Sequence, residues 1–218
     1  MVHLYALADH PAQLPGVPGI GASPLAAAAV DAIDAVFSDV DGGWTEPTEA
    51  AILTHAHVVE ELAKINDAVL PARLAKPYAD EAALLGGIRE RAVQLRDALA
   101  RVRGCAEMGV RVVRHENHEH APTASGSDYM RTRLEAIRTA DGVAEELDAA
   151  VHGLARDVIR GAAGMRDLVL TVAYLVPKED AGRLRAAVEH LAGAHPELTY
   201  VCVGPWPPYS FALVDGES

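Results

Sequence analysis

Basic residues are scarce in this chain: 19 lysines and arginines stand against 31 aspartates and glutamates, for a formal net charge of −12. Nucleic acids and anionic membranes are bound by basic surfaces, so this imbalance argues against both as partners. Long apolar runs are also missing, and none approaches the roughly 20 residues of a membrane-spanning helix. The N-terminus lacks the basic start of a signal peptide, and Asp9 and His10 interrupt it early. We therefore expect a cytoplasmic protein without a membrane span.

Cysteine and the common catalytic motifs are equally sparse. The two cysteines, Cys105 and Cys202, lie far apart in predicted strands and are typical of small buried residues rather than of a disulfide or metal site. The chain has no nucleophile elbow, no paired Cys/His arrangement and no Walker sequence. The glycine-rich segment Gly16–Gly21 follows a strand, but Pro18 removes an amide that a phosphate cradle would use. The sequence thus predicts no catalytic residue and no cofactor.

What is present is a large apolar fraction with clear periodicities. Half of the 218 residues are apolar, which is enough for the core of one large or two small domains. We expect a boundary at the start of a strand, giving domains of residues 1–103 and 104–218. The predicted strands are Val2–Leu7, Ala32–Val40, Ala68–Arg73, Cys105–Val113, Asp167–Val176 and 198–203, and the predicted helices are Thr45–Asn66, Asp80–Val102, Asp128–Arg160 and Pro177–His190.

Two of these predictions carry alternatives. Ala27–Val40 fits either a helix or a strand, and the shared face of Ile33, Ala35 and Phe37 favours the strand. The glycine of Asp141-Gly142 is expected to bend or break the long helix, because glycine costs about 1 kcal/mol relative to alanine inside a helix. Helices packed on one face of a sheet give an α+β sandwich.

The first predicted helix carries one apolar stripe and two histidines. The stripe steps by three and four residues through Ile52, Ala56, Val59 and Ala63. His55 and His57 are about 200° apart around the helix axis and cannot point at one metal ion. We expect one of them to be a core histidine bonded to a neighbouring carbonyl.

A second group of histidines, His115, His118 and His120, is the one place that suggests a metal site. Three imidazoles and two carboxylates within six residues resemble the ligand set of a divalent ion. The surrounding sequence is polar and offers no rigid element to fix their geometry. We favour a solvated loop and predict no metal ion, with a metal-dependent enzyme using these histidines as an alternative.

The most distinctive stretch is the octet Gly204–Phe211, which reads GPWPPYSF and follows an apolar strand. Its three prolines fix φ and remove backbone donors, so the octet can form neither a helix nor a central strand. Three aromatic residues in six positions stand out in a chain that is 5% aromatic. Trp206 and Phe211 either fold back over the edge of a sheet or form a rigid contact for another protein. The residues predicted for that contact are Trp206, Pro207, Pro208, Tyr209 and Phe211.

This octet resembles the C-terminal signature of the gas vesicle accessory proteins of the F and L type. Shorter motifs of the same family occur in order along the chain and extend the resemblance over nearly its whole length. They are His57-Val-Val-Glu60, Val69-Leu-Pro-Ala-Arg73, Glu107-Met-Gly-Val110, Gly126–Met130 and Ala173–Val176.

The resemblance implies a two-domain α+β fold whose second domain is ferredoxin-like. It also implies a non-enzymatic protein that binds the hydrophobic shell protein, other accessory proteins or both during vesicle assembly. A small-ligand-binding regulatory domain of ferredoxin-like shape is a further alternative.

Overall fold

The computed structural model describes residues 1–41, 47–74, 77–114, 125–161 and 168–212. The chain divides into two compact units, Met1–Ala106 together with the segment that begins at Trp206, and Glu107–Pro205. This division differs from the predicted one chiefly in assigning the aromatic end of the chain to the first unit. Each unit combines a four-stranded sheet with helices, so the predicted α+β fold class is confirmed.

The first unit is built on a sheet with the strand order β2-β3-β1-β4, in which all the neighbouring strands are antiparallel. Its elements are β1 (Val2–Asp9), β2 (Leu25–Val30), β3 (Ile33–Asp39), α1 (Glu49–Ile65), β4 (Val69–Pro71), α2 (Glu81–Glu90) and α3 (Ala92–Val102). The ambiguous stretch from residue 27 to residue 40 is a hairpin, with Asp31 in the left-handed region at φ 54°. The strand predicted over Ala32–Val40 is therefore confirmed as β3.

The helix predicted over Asp80–Val102 is divided in two. Asp80 caps the first turn of α2 by accepting a hydrogen bond from the Ala83 amide at 2.8 Å, as the predicted start requires. At Arg91 the backbone leaves helical geometry (φ −115°, ψ 13°), and α3 begins one residue later. The predicted helical stretch from Asp80 to Val102 is thus present, but as two helices and not as one.

The second unit contains β5 (Cys105–Arg114), α4 (Gly126–Ala150), β6 (Asp157–Gly161), β7 (Leu168–Pro177), α5 (Ala181–Ala194) and β8 (Leu198–Trp206). Its strand order is β6-β7-β5-β8. The element order β-α-β-β-α-β is the one that a ferredoxin-like domain requires. The ferredoxin-like assignment itself stays a prediction.

The prediction of one helix over Asp128–Arg160 is wrong at its C-terminal end. The helix α4 passes through Asp141 and Gly142 without a break but ends at Ala150. Gly153 then adopts φ 76°, a left-handed conformation that ends helices and suits glycine. The residues beyond it form β6, which pairs with β7 in antiparallel register.

The buried face of α1 is rotated by about one residue from the predicted stripe. Val59 is buried as expected, but Ile52 is exposed, and His55 occupies the core beside Val58 and Leu62. His55 Nε2 donates to the Ala72 carbonyl at 3.0 Å, so its Nδ1 is left to accept from His3 Nε2 at 2.9 Å. The prediction of a core histidine bonded to a carbonyl is confirmed for His55.

The two buried imidazoles are held in the neutral form. Burial, and then the nearby His55, lowers the pKa of His3 to about 4, and burial also lowers the pKa of His55. Protonation of His55 Nδ1 would remove the acceptor that His3 uses. The pair therefore stabilises the first unit only while both rings stay uncharged.

We predict that the free energy of unfolding falls as the pH is lowered from 6.5 towards 4. The folded pKa lies below the unfolded value, so the unfolded chain binds more protons in this window, and His3 alone accounts for a loss of about 3 kcal/mol. Urea unfolding at several pH values measures the loss. His3→Gln in β1 should flatten the profile, whereas His57→Gln, at an exposed position of α1, should not. Equal slopes for all three proteins would contradict this assignment.

Candidate functional site

The strand β8 extends beyond the predicted end at residue 203, includes the first three residues of the octet (Gly204–Phe211), and is held near its end by Arg185 of α5. The Arg185 guanidinium donates to the carbonyl of Gly204 at 2.6 Å and to that of Cys202 at 3.3 Å. Gly204 has φ 111°, a conformation that L side chains rarely adopt. The backbone direction at the start of the octet is thus fixed by the conformation of Gly204 and by the hydrogen bonds from Arg185. No sequence motif predicts this contact of Arg185.

After Trp206 the chain folds into a compact turn, which we call the aromatic turn (Trp206–Phe211). Pro207 and Pro208 are buried, and a 3-10 helix spans Tyr209–Phe211. The amides of Tyr209 and Phe211 donate to the carbonyls of Pro207 and Pro208 at 2.8 and 3.2 Å. The turn is therefore closed by its own backbone hydrogen bonds.

Phe211 anchors this turn in the first unit. Its side chain is 1% exposed, and the guanidinium carbon of Arg101 lies 5.4 Å from the centre of its ring, a cation–π distance. The folded-back alternative considered from the sequence therefore describes Phe211. Phe211 and the two prolines support the turn from within and do not form its outer surface.

Trp206 and Tyr209 lie on the outside of the same turn. They are 45% and 38% exposed, which is high for residues of this size. Burial, and then the negative charge of Glu60, raises the pKa of Tyr209 to about 12, so its hydroxyl stays protonated at neutral pH. Of the five residues predicted for a protein contact, the structure thus exposes two and buries three.

Other predicted features fall elsewhere. His115, His118 and His120 lie outside the described residues, and within the described ranges no group of three histidine, cysteine or acidic side chains could hold a metal ion. Among the helices that the structure describes, none is long and apolar enough to cross a membrane. Cys105 is buried and Cys202 is half-buried, and no disulfide joins them.

The glycine-rich segment Gly16–Gly21 has a packing role. A Cβ atom at Gly19 would lie 2.5 Å from the Tyr5 hydroxyl and 2.7 Å from Ser38 Oγ. The Tyr5 hydroxyl accepts from the Ile20 amide at 2.7 Å and bonds Ser38 Oγ at 2.9 Å. The glycine is thus required by the close approach of the loop to these two side chains.

We expect Phe211→Ala and Trp206→Ala to differ sharply in stability. Removing the buried ring leaves a cavity and should lower the free energy of unfolding by about 3–5 kcal/mol. Removing the exposed indole should cost about 1 kcal/mol or less. Urea denaturation of the two variants beside the parent chain measures both values, and equal losses would show that the anchor and the outer surface have been assigned wrongly.

Residues 1–213 match the model of a family described as gas vesicle synthesis protein GvpL/GvpF. Gas vesicle protein L of a Streptomyces species is 31% identical to this chain, over 93% of the chain and 88% of the relative. Gas vesicle protein F2 of Halobacterium salinarum is 27% identical, over 96% and 91% respectively.

The fold also matches that of a solved protein. The crystal structure of the gas vesicle protein GvpF from Anabaena sp. PCC7120 superposes with a TM-score of 0.83 at 15% identity, covering 100% of this chain and 98% of that one. A second GvpF structure, from Microcystis aeruginosa, superposes with a TM-score of 0.81 at 17% identity. The family match along almost the whole length decides the assignment, and the chain belongs to the gas vesicle synthesis protein GvpL/GvpF family.

Proposed function

We propose that this protein is a non-enzymatic accessory protein of gas vesicle assembly, which binds the hydrophobic shell protein, other accessory proteins or both. Family membership supports a role in gas vesicle synthesis. We place the protein in the cytoplasm, in association with gas vesicles. The observation that carries the binding role is the exposure of Trp206 and Tyr209 on a turn whose two prolines and phenylalanine are buried.

The aromatic turn has the properties of a binding hot spot. Tryptophan and tyrosine are the residues most enriched in hot spots, because they bury a large area and lose little side-chain entropy. The flanking prolines and the two backbone hydrogen bonds already hold the turn in one conformation. A partner would therefore pay little for ordering it.

The strand that leads into the turn offers a second mode of contact. In the described part of the chain, β8 has a neighbouring strand on one side only. Val201 and Val203, two residues apart on β8, both carry exposed side chains. Two carbonyls of β8, those of Cys202 and Gly204, already accept from Arg185, so we expect a partner to contact this strand through the valine side chains. We therefore propose β8 as a separate contact surface of the second unit.

The acidic balance of the chain fits a protein that handles an apolar partner. The net charge of −12 favours solubility and limits unspecific association with other acidic macromolecules. Specific binding then depends on a small apolar surface such as the aromatic turn.

The test is the affinity of the double variant Trp206→Ala plus Tyr209→Ala for the purified shell protein, measured by biolayer interferometry. Loss of even one hot-spot side chain costs about 2 kcal/mol, so we expect binding at least about 30-fold weaker. Tyr78→Ala is the matched control, because Tyr78 is another exposed aromatic residue of the first unit.

Two results would count against the proposal. Unchanged affinity of a folded double variant would remove the aromatic turn from the contact. Absence of binding by the parent chain would remove the shell protein as a partner.

In a strain lacking the gene, vesicles counted by electron microscopy should be restored by the parent chain and by Tyr78→Ala, but not by the double variant.

A further inference from the structure

The second unit contains a cavity of about 490 Å³ that the proposed assembly role does not use. It lies where the end of β5, the middle of α4 and the turn between α5 and β8 meet, and its volume falls in the range of small-molecule sites. Val143 and Leu198 supply apolar wall, while Arg114, Arg138 and His195 supply polar groups.

The ionisable side chains of the lining fall into two groups, those that form ion pairs among the described residues and those that do not. His195 faces two carboxylates of the lining, Glu146 at 2.7 Å and Glu197 at 3.3 Å. Neither Arg114 nor Arg138 forms an ion pair with any carboxylate whose side chain the structure describes. Two guanidiniums on one cavity are suited to an oxyanion, which they bind through paired charge-assisted hydrogen bonds.

Gly142 keeps the cavity open on the side of the helix. It lies inside α4, where glycine is the least favourable residue after proline. A Cβ atom at this position would meet nothing within 4 Å. A side chain here would extend into the space that the cavity occupies, because Gly142 is part of its lining.

Tyr200 is not part of the lining but neighbours His195, which is. Its hydroxyl oxygen is buried and has no hydrogen-bond partner among the described residues, a rare state that calls for an explanation. The ring lies beside His195, with 6.3 Å between the ring centres. Burial, and then the charges of Glu146 and Glu197, raises the pKa of this hydroxyl, so it remains a donor at neutral pH.

We propose that this cavity binds a small carboxylic acid with an apolar body, whose carboxylate is held by Arg114 and Arg138 and whose apolar part contacts Val143 and Leu198. The lining carries two arginines and two glutamates, so a monoanion fits it better than a phosphate dianion, which both glutamates would repel. This site goes beyond the assembly role and does not depend on it.

The test is a titration of the ¹⁵N-labelled chain followed by amide chemical shifts, with N-acetyl-L-leucine as the probe. N-acetyl-L-leucinamide, which has the same apolar body without the charge, and isobutyl phosphate are the comparison probes. We expect saturable shifts at the amides of Gly142, His195, Glu197 and Leu198 with the acid, and weaker binding of both comparison probes. The assembly role is tested separately, since none of these residues belongs to the aromatic turn.

Three variants locate the site. Arg138→Gln removes one guanidinium and should weaken binding of the acid about tenfold or more. Gly142→Leu fills the cavity without loss of helix propensity and should abolish binding. Gly182→Leu, at an exposed glycine of α5, should bind as the parent does. Four results would each overturn the proposal. N-acetyl-L-leucine could fail to bind the parent chain saturably, or N-acetyl-L-leucinamide could bind equally well. Isobutyl phosphate could bind more tightly than the acid, or Gly142→Leu could bind the acid as the parent does.

Discussion

The burial of Phe211 is the constraint on which the candidate interaction site depends. A proline-rich segment has few backbone donors and cannot hold itself in place by a sheet or helix ladder. Burying one phenylalanine side chain contributes about 1.5–3 kcal/mol, and the Arg101 guanidinium adds a cation–π contact. With the Phe211 side chain buried, the geometry of the six-residue turn leaves Trp206 and Tyr209 exposed. The same six residues thus provide both the anchor and the exposed surface.

The polar groups buried in the first unit are held by hydrogen bonds to one another and to the backbone. His3 and His55 are accommodated in the core because the chain from His3 Nε2 through His55 to the Ala72 carbonyl supplies each donor with an acceptor. Tyr5 and Ser38 form a comparable pair against Gly19. These bonds fix how α1 and the glycine-rich loop lie against the sheet, so the core is specified by polar contacts as well as by apolar packing.

Much of this could be predicted from the sequence, and the failures have identifiable causes. Strand alternation and proline chemistry are local, and they located β3, β8 and the octet. The buried face of α1 was predicted wrongly because a histidine is treated as polar when its hydrogen bonds are unknown. The bond of His55 becomes evident only when the fold places Ala72 beside it. The end of α4 was missed because the apolar steps near Gly153 fit a helix as well as a turn and a strand. Which aromatic residues of the octet are buried depends on tertiary packing. One such contact joins Phe211 to Arg101, which is distant in sequence.

The two candidate sites rest on different physics and can be altered independently. The aromatic turn is already ordered in the folded protein, so a partner would not have to order it. The free energy of binding to the turn would then come mainly from buried apolar area. The cavity is lined by two guanidiniums that form no ion pair with a described carboxylate, so its binding free energy would come from charge-assisted hydrogen bonds to the ligand. A glycine inside a helix lowers the stability of the fold that contains it. The position of Gly142 in the lining of the cavity is more simply explained by a ligand than by folding alone.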